Sequence, residues 1–204
     1  MLNKKEWDKR YDENALPWDS GQPDPRLMKL LSSWPECRGR VLDIGCGTGT
    51  NAVWLAEQGF QVTALDISTS AVAMARRHSV KQGVECTFFA ADFLSCSLGE
   101  EPFSLIFDRG CFHSMGGREN RQSFVSRAAS CLGQGGLWFS LIGNKDQAPT
   151  EGNQGPPRLS AAEICADVEP AFEILHLESS LGYSVNQSVP LRLWQCLMRL
   201  RRCS

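Results

Sequence analysis

The chain has 204 residues, of which 42% are hydrophobic, and its 21 basic and 23 acidic side chains leave a formal net charge of -2. This length suits one well-buried domain, and the balanced charge lacks the basic excess that nucleic-acid binding usually requires. No apolar run is long enough to cross a bilayer, and no hydrophobic stretch follows the N-terminal lysines as in a signal peptide. We therefore expect a single cytoplasmic domain over residues 1–204, without a nucleic-acid or membrane partner.

The nine cysteines are odd in number and scattered along the chain, without a Cys-x-x-Cys pair. In a reducing compartment this pattern predicts neither disulfides nor a structural zinc site. We expect most of these cysteines to be small core residues.

The first 35 residues predict helices. Trp7 and Tyr11 are spaced to share one face of a helix. Asp24 can cap a second helix that has Pro25 at its first position. We expect this segment, residues 1–35, to precede a sheet that occupies residues 36–204.

Apolar runs and helical patterns alternate through the middle of the chain. The runs predict strands at 40–44, 61–65, 85–90, 103–107 and 136–142. Helices are predicted between them, one ended by Gly59, one running from a cap at Ser68 to Gly83, and one over 118–132. This alternation favours an α/β fold with a doubly wound, mostly parallel sheet and helices on both faces.

The pattern changes towards the C-terminus. Ser160 and Glu163 form a capping box for a short helix. Two last apolar runs, at 172–178 and 191–200, have little between them. We expect them to form an antiparallel hairpin on one edge of the sheet.

The strongest motif reads VLDIGCGTG, at residues 41–49. A buried strand carries the acidic residue Asp43 near its end, and three alternating glycines precede a helix. Glycine lets the backbone turn sharply and approach a ligand closely. The carboxyl end of the first strand faces the crevice where open α/β sheets bind ligands, so the motif predicts a nucleotide-containing ligand there.

Two features distinguish a dinucleotide from an adenosine derivative that carries no phosphate. A dinucleotide fingerprint requires a third glycine where this chain has Thr50. Asp43 would also place a carboxylate beside a pyrophosphate dianion. S-adenosylmethionine carries no phosphate but has a sulfonium and an ammonium, which an acidic loop favours. A dinucleotide-dependent oxidoreductase is therefore the less favoured interpretation.

Further candidate ligand contacts follow the next two predicted strands. Asp66 ends the second strand, about 20 residues after the first glycine, where a carboxylate can accept both ribose hydroxyls. Ile67 can then pack on the adenine. Asp92, after the third strand, is placed to accept the adenine amino group, with Phe93 lining the same pocket.

The glycine motif together with Asp66 and Asp92 resembles the motifs of class I S-adenosylmethionine-dependent methyltransferases, over residues 40–142. The resemblance implies a Rossmann-like methyltransferase fold of seven strands, the last one antiparallel. It also implies S-adenosylmethionine as cofactor and S-adenosylhomocysteine as product. The residues expected to bind the cofactor are Trp7, Tyr11, Trp18, Asp43, Gly45, Cys46, Gly47, Gly49, Asp66, Ile67, Asp92, Phe93 and Asp108.

A narrower resemblance rests on FSLIFDRG at 103–110, on GPP at 155–157 followed by Glu163 and Ile164, and on the spaced Trp, Tyr, Pro and Gly residues of 7–23. These are similar to thiopurine S-methyltransferase and its bacterial relatives, a group that includes tellurite- and thiol-handling enzymes. In that group the N-terminal segment folds over the cofactor, which implies a helical lid in residues 1–35. This chain is shorter than the animal thiopurine enzymes, and CFHSM follows its DRG, so the acceptor is not carried over.

Asp108, Arg109 and His113 lie at or just after the end of the fourth predicted strand, where the transferred methyl points in this fold class. Positioning and desolvation supply most of the rate of an in-line methyl transfer. These three residues are the catalytic candidates, for contacting the acceptor or tuning its pKa. The alternatives are an Arg109 that pairs with Asp108 and a structural His113. Cys111 and His113 supply only two ligands, so no metal is expected.

We expect a small-molecule methyltransferase that acts on a thiol or similar soft nucleophile, as a monomer or homodimer. The first alternative is an O- or N-methyltransferase of a natural-product or metabolite scaffold. The second is a non-catalytic binding protein that keeps the cofactor fold. The intact glycines with Asp43, Asp66 and Asp92 argue against the second alternative.

Overall fold

The computed structural model describes residues 2–34, 37–147, 157–182 and 191–202. The strands of these residues are β1 (Arg40–Ile44), β2 (Gln61–Asp66), β3 (Cys86–Ala90), β4 (Phe103–Arg109), β5 (Leu132–Gly143), β6 (Phe172–Gly182) and β7 (Leu191–Leu200). The helices are α1 (Lys4–Asp12), α2 (Pro25–Ser33), α3 (Thr50–Glu57), α4 (Thr69–Gln82), α5 (Gly117–Cys131) and α6 (Ala161–Val168). The motif residues Gly155 and Pro156 lie outside the described ranges. None of the helices described is both long and apolar enough to cross a membrane.

The described strands form one sheet in the order β3-β2-β1-β4-β5-β7-β6. Strands β1 to β5 pair in parallel, whereas β7 pairs antiparallel with both β5 and β6. The predicted seven-stranded, mostly parallel sheet with an antiparallel C-terminal strand is confirmed. The last two strands form the expected hairpin, and the structure adds that β7 lies inside the sheet while β6 forms its edge.

Successive side chains of the central strands point to opposite faces, and each face is covered by helices. Leu42 and Ile106 pack in one apolar cluster with residues of α5 and α6. Val41 and Phe107 pack in another with residues of α2, α3 and α4. Because both faces are buried, the strands read as nearly continuous apolar runs. The doubly wound architecture predicted from the sequence is thus confirmed.

The strand order places one crevice at the centre of the sheet. From β1 the chain continues outward through β2 and β3, then returns to the other side of β1 at β4. Ligands of doubly wound sheets bind outside the carboxyl ends of the strands at such a reversal. The loops that follow β1, β2 and β4 therefore meet at one place.

The structure differs from the prediction after β4 and at the start of β5. Residues Phe112–Ser114 form a 3₁₀ turn just after β4 that was not predicted. Strand β5 begins directly after α5, at 132 rather than at the predicted 136. Leu132 pairs with Phe103, and an irregular register between Phe103 and Leu105 accommodates the glycine-rich residues that follow.

The N-terminal helices begin at side-chain caps, Asn3 for α1 and Asp24 for α2. Helix α1 is then fixed to α4 through one carboxylate. Asp8 accepts hydrogen bonds from the hydroxyl of Ser68 at 2.7 Å and from the N–H of Ser70 at 3.2 Å. These contacts hold the N-terminal segment beside the carboxyl end of β2.

Candidate active site

The loop between β1 and α3 contains Gly45, Gly47 and Gly49, whose φ angles are 71°, 56° and 81°. Residues with a side chain rarely adopt these values. A Cβ at Gly49 would also lie 2.7 Å from the Cβ of Ala75, so glycine allows α3 to pack closely on α4. The motif therefore forms a tight turn at the carboxyl end of β1.

The Asp66 carboxylate is fixed beside this loop at the end of β2. Its Oδ2 accepts a hydrogen bond from the N–H of Gly47 at 3.0 Å, and its Oδ1 accepts one from the N–H of Ser68 at 2.9 Å. Each carboxylate oxygen has a further lone pair, so both oxygens can still accept a hydroxyl. Ile67 follows directly and is half-buried. This arrangement fits the predicted contact with a ribose.

Asp43 lies on β1 and is 2% exposed. Its Oδ2 has no hydrogen-bond partner among the described residues. Burial, together with the charges of Asp108 and Asp66, raises the pKa of Asp43 to about 8. A cation beside this oxygen would favour the ionised carboxylate. The acidic surroundings of the loop therefore fit the ammonium and sulfonium of S-adenosylmethionine and disfavour a pyrophosphate.

Three other predicted cofactor residues differ in exposure. Asp92 is exposed, and its Oδ1 accepts a hydrogen bond from the N–H of Leu94 at 2.9 Å. Phe93 is 3% exposed and packs on Phe124, with ring centroids 4.7 Å apart. The side chain of Cys46 also belongs to the core. Asp92 is thus open to a ligand, whereas the position of the Phe93 side chain in the core does not support its predicted role in lining the pocket.

The three aromatic residues of the expected lid lie together. The ring centroids of Trp7 and Trp18 are 5.7 Å apart, and those of Tyr11 and Trp18 are 6.4 Å apart, both edge to face. The Tyr11 hydroxyl lies 3.0 Å from the position that a Cβ on Gly47 would occupy. The structure therefore brings this aromatic cluster against the glycine loop.

Asp108 is fully buried at the end of β4. Its Oδ1 accepts hydrogen bonds from the N–H groups of Cys111 and Phe112, both at 2.9 Å, and its Oδ2 accepts one from Trp138 Nε1 at 3.2 Å. Burial raises the pKa of Asp108. These hydrogen bonds hold the turn that carries His113. The buried carboxylate therefore fixes the backbone next to the candidate site.

Arg109 pairs with the N-terminal segment and not with Asp108. Its Nε lies 3.1 Å from Oδ2 of Asp24, and its Nη1 donates a hydrogen bond to the carbonyl oxygen of Trp18 at 3.0 Å. The side chain keeps 29% of its surface exposed. Arg109 therefore connects the end of β4 to the aromatic cluster.

His113 is 4% exposed and contacts the end of β5. Its Nδ1 accepts a hydrogen bond from the N–H of Gly143 at 3.1 Å, which assigns the proton of the neutral ring to Nε2. Burial lowers the pKa of His113 to about 4. The ring is therefore neutral near pH 7 and offers an N–H donor at Nε2.

The sequence indicates only that Asp24 caps a helix. In the structure its carboxylate also binds Arg26 and Arg109. Local spacing contains no signal for the second contact, because Arg109 is distant in the sequence and approaches only once β4 is in the sheet. Within the described part of the chain, no group of three His, Cys, Asp or Glu side chains could hold a metal ion.

The comparisons with known proteins agree with this geometry. A family model described as thiopurine S-methyltransferase matches residues 2–192. A 2-heptyl-1-hydroxyquinolin-4(1H)-one methyltransferase of Mycobacteroides abscessus is 33% identical over 151 residues, which cover 72% of this chain and 64% of that protein. A probable thiol methyltransferase 2 of Arabidopsis thaliana is 31% identical over 153 residues, which cover 74% and 65%. The chain thus spans slightly less than two thirds of the length of these two relatives.

A solved structure connected with the conversion of a disulfide bond into a thioacetal group during echinomycin biosynthesis has the same fold. Its TM-score is 0.79 at 25% sequence identity, and the match covers 92% of this chain and 87% of that one. The family match includes the N-terminal helices, the glycine loop and strands β1 to β6. This chain belongs to the thiopurine S-methyltransferase family.

Proposed function

We propose that this protein is an S-adenosylmethionine-dependent methyltransferase whose acceptor is a small molecule carrying a thiol or similar soft nucleophile. The observation that carries the proposal is the Oδ2 atom of Asp43, buried beside the glycine loop without a hydrogen-bond partner among the described residues. A cationic ligand would stabilise this carboxylate, and a phosphate would not. When bound, the cofactor supplies a methyl group on a sulfonium. The rest of the cofactor is a good leaving group, because it departs as the neutral thioether S-adenosylhomocysteine.

Different residues of the chain contact different parts of the cofactor. Asp66 is placed for the ribose hydroxyls, because Gly47 and Ser68 already hold its two oxygens in a fixed direction. Asp43 lies where the cationic end of the ligand would reduce its pKa. Asp92 is exposed one strand further along, as the contact with the adenine amino group requires.

The acceptor is proposed to bind at the carboxyl end of β4, between Arg109 and His113 and beneath the aromatic cluster. Neither residue is a strong base: Arg109 is a permanent cation, and the Nδ1 of His113 already accepts a hydrogen bond. Asp108 is buried and bonded to its own turn. Such a site favours an acceptor that is already an anion, and an aromatic thiolate meets that condition at neutral pH.

A second candidate function is methylation of an oxygen or nitrogen on a natural-product or metabolite scaffold. The observation that favours it is the relative from Mycobacteroides abscessus, whose name specifies a hydroxyquinolone substrate. A hydroxyl attached to an electron-poor ring is also acidic, so this candidate shares the need for an anionic acceptor. In that case the Nε2–H of His113 would hold the oxygen anion.

We place this activity in the cytoplasm, in a monomer or homodimer without a nucleic-acid partner, in agreement with the balanced charge of the chain. A non-catalytic binding protein with the same fold remains the contrasting alternative. It has no need for the buried carboxylate Asp43, whose Oδ2 has no hydrogen-bond partner among the described residues and is costly to bury without a cationic ligand.

Calorimetric titration and a methyl-transfer assay test the proposal together. S-adenosylhomocysteine should bind with a micromolar dissociation constant and raise the melting temperature by mass action, while NAD should not bind. Radiolabelled S-adenosylmethionine should then transfer its label to an aromatic thiol. Failure of S-adenosylhomocysteine to bind would support the non-catalytic alternative, and saturable binding of NAD alone would support an oxidoreductase. Binding without transfer to any thiol, phenol or amine would overturn the proposed acceptor class.

A further inference from the structure

A buried carboxylate outside the proposed contacts with cofactor and acceptor binds two arginines at once. Asp24 is 5% exposed. Its Oδ2 lies 2.6 Å from Nη2 of Arg26 and 3.1 Å from Nε of Arg109, and its Oδ1 accepts a hydrogen bond from Nε of Arg26 at 2.7 Å. Burial opposes ionisation, but the hydrogen bonds and charge of Arg26, with the charge of Arg109, keep the pKa of Asp24 below its usual value. The group is therefore an anion at neutral pH.

The backbone of Asp24 is joined to the glycine-loop side of the site. The backbone N–H of Asp24 donates a hydrogen bond to Oδ1 of Asn51 at 2.8 Å, and Asn51 lies in the first turn of α3. Asp24 also caps α2 through the N–H of Arg26. A single residue thus contacts the start of α3, the start of α2 and the guanidinium at the end of β4.

Two of the three guanidinium nitrogens of Arg109 have partners. Asp24 contacts its Nε and the Trp18 carbonyl contacts its Nη1, while its Nη2 makes no hydrogen bond with any residue that the structure describes. A second carboxylate, Asp19, also influences Arg109 by its charge, but its Oδ2 already accepts a hydrogen bond from Thr48. A guanidinium has five donors in a rigid plane, so fixing two of its nitrogens sets the direction of the third.

We propose that Asp24 is a positioning residue, which holds the Arg109 guanidinium so that its Nη2 is presented to an anionic acceptor beneath the lid. This inference rests on the proposed function for its reference to an acceptor. Arg26 is the matched comparison, because it binds the same carboxylate from the side of α2 and contacts no predicted site residue. Removing Arg26 leaves Arg109 as the remaining cationic partner of Asp24, whereas removing the charge of Asp24 releases Arg109.

The variants for the test are Asp24→Asn, which keeps a residue able to cap α2, and Arg26→Met. The acceptor is a nitro-substituted thiophenol, which is a thiolate at neutral pH. Asp24→Asn should raise the KM for this thiolate roughly tenfold or more, because a charge-assisted contact to Arg109 is lost. Its dissociation constant for S-adenosylhomocysteine should stay unchanged. Arg26→Met should raise the KM by a smaller factor, because Arg109 keeps Asp24 as its partner.

A double-mutant cycle shows whether the effect passes through Arg109. In an Arg109→Ala background, Asp24→Asn should raise the KM no further. Equal effects of Asp24→Asn and Arg26→Met, or a full effect of Asp24→Asn without Arg109, would overturn the proposal and leave Asp24 a purely structural residue. If Asp24→Asn does not fold, Asp24→Ser, a second good capping residue, takes its place.

The Nε–H resonance of Arg109 provides a readout that does not depend on turnover. In ¹⁵N relaxation measurements it should report an ordered side chain in the wild type and in Arg26→Met, and a mobile one in Asp24→Asn. Equal order in all three proteins would refute positioning by Asp24. Should the wild-type protein transfer no methyl group to any thiol, the proposed acceptor class fails, and this measurement still decides the role of Asp24.

Discussion

At the scale of single residues, the site is defined by carboxylates that the fold places close together. The parallel pairing of β1 with β4 sets Ile44 opposite Asp108, which brings Asp43 and Asp108 near each other at the carboxyl ends. Asp66 follows at the end of β2. Burial raises the pKa of all three. Without a ligand this arrangement is unfavourable, since like charges in a desolvated place resist ionisation.

Binding of S-adenosylhomocysteine should therefore release a proton from Asp43. With a pKa of about 8, the carboxyl is mostly protonated at pH 7 in the free protein, and the ligand's ammonium favours its ionised form. The affinity should consequently rise with pH, by up to about tenfold per unit below pH 8, and level off above it. Calorimetry at pH 7 in buffers of different ionisation enthalpy should show the release of roughly one proton.

The control for this prediction is Asp43→Asn, which has no proton to release. Its observed heat of binding, without any correction for buffer ionisation, should be the same in every buffer. Heats that are independent of the buffer in the wild type would show that Asp43 does not face the cationic part of the ligand.

Asp66 should determine affinity for the ribose. Asp66→Ala removes an acceptor of charge-assisted hydrogen bonds, so binding of S-adenosylhomocysteine should weaken by about 1.5–3 kcal/mol. Glu57→Ala, an exposed acidic residue at the other end of α3, serves as the matched control and should leave the dissociation constant unchanged. A folded Asp66→Ala protein with wild-type affinity would reject the ribose assignment.

At the scale of elements, the N-terminal segment is joined to the sheet domain at separate points. Asp8 binds the start of α4, Thr48 of the glycine loop donates to Asp19 at 2.5 Å, and Arg109 binds both Trp18 and Asp24. Most of these contacts are polar and partly exposed, and such contacts contribute little stability. We propose that the part before α2, residues 2–21, is a lid that opens and closes over a bound ligand, since α2 itself packs in the core through Leu27.

Hydrogen exchange tests this interpretation of the N-terminal segment. The amides of residues 2–21 should exchange more slowly when S-adenosylhomocysteine is bound, because the ligand adds contacts to the aromatic cluster. The amides of β5, which are buried in the sheet, provide the internal control and should change little. Equal protection of residues 2–21 with and without ligand would indicate plain packing of α1 and α2.

The elements also show how far the sequence can predict this structure. Strands such as 40–44 were located from apolar runs, and caps such as Ser68 and Ser160 from local hydrogen-bonding patterns, which are properties of neighbouring residues. The insertion of β7 between β5 and β6 depends on pairing between distant segments. The 3₁₀ turn depends on the Asp108 carboxylate turning back to its own loop. Neither the position of β7 nor the 3₁₀ turn produces a periodic pattern of apolar residues in the sequence.

At the scale of the whole molecule, the candidate site is assembled at the reversal of strand order. The glycine loop, Asp66 and Arg109 come from three different strand ends, and the N-terminal helices add the aromatic cluster. The sequence motifs predicted these members one by one. Their mutual contacts, such as the one between Arg109 and Asp24, were beyond prediction because they exist only once the sheet has formed.

The proposed acceptor preference follows from this assembly. A permanent cation at Arg109, a neutral donor at His113 and a buried Asp108 leave the pocket without a free base, so the acceptor's own acidity decides how well it reacts. Aromatic thiols should be methylated faster than phenols of similar shape, since the thiol is largely ionised at neutral pH and the phenol is not. Arg109→Ala should lower kcat/KM for the thiol by more than it weakens cofactor binding.

A radiolabelled methyl-transfer assay on paired thiols and phenols measures this preference directly. Raising the pH should narrow the difference, because the phenol gains its anion while the thiol is already ionised. A phenol that carries electron-withdrawing groups, and is therefore ionised at pH 7, should react faster than an ordinary phenol at the same pH. A clear preference for ordinary phenols or amines at pH 7 would require a base in the pocket. It would assign that role to His113, which would first have to release the N–H of Gly143 from its Nδ1, and it would support the natural-product acceptor in place of the thiol.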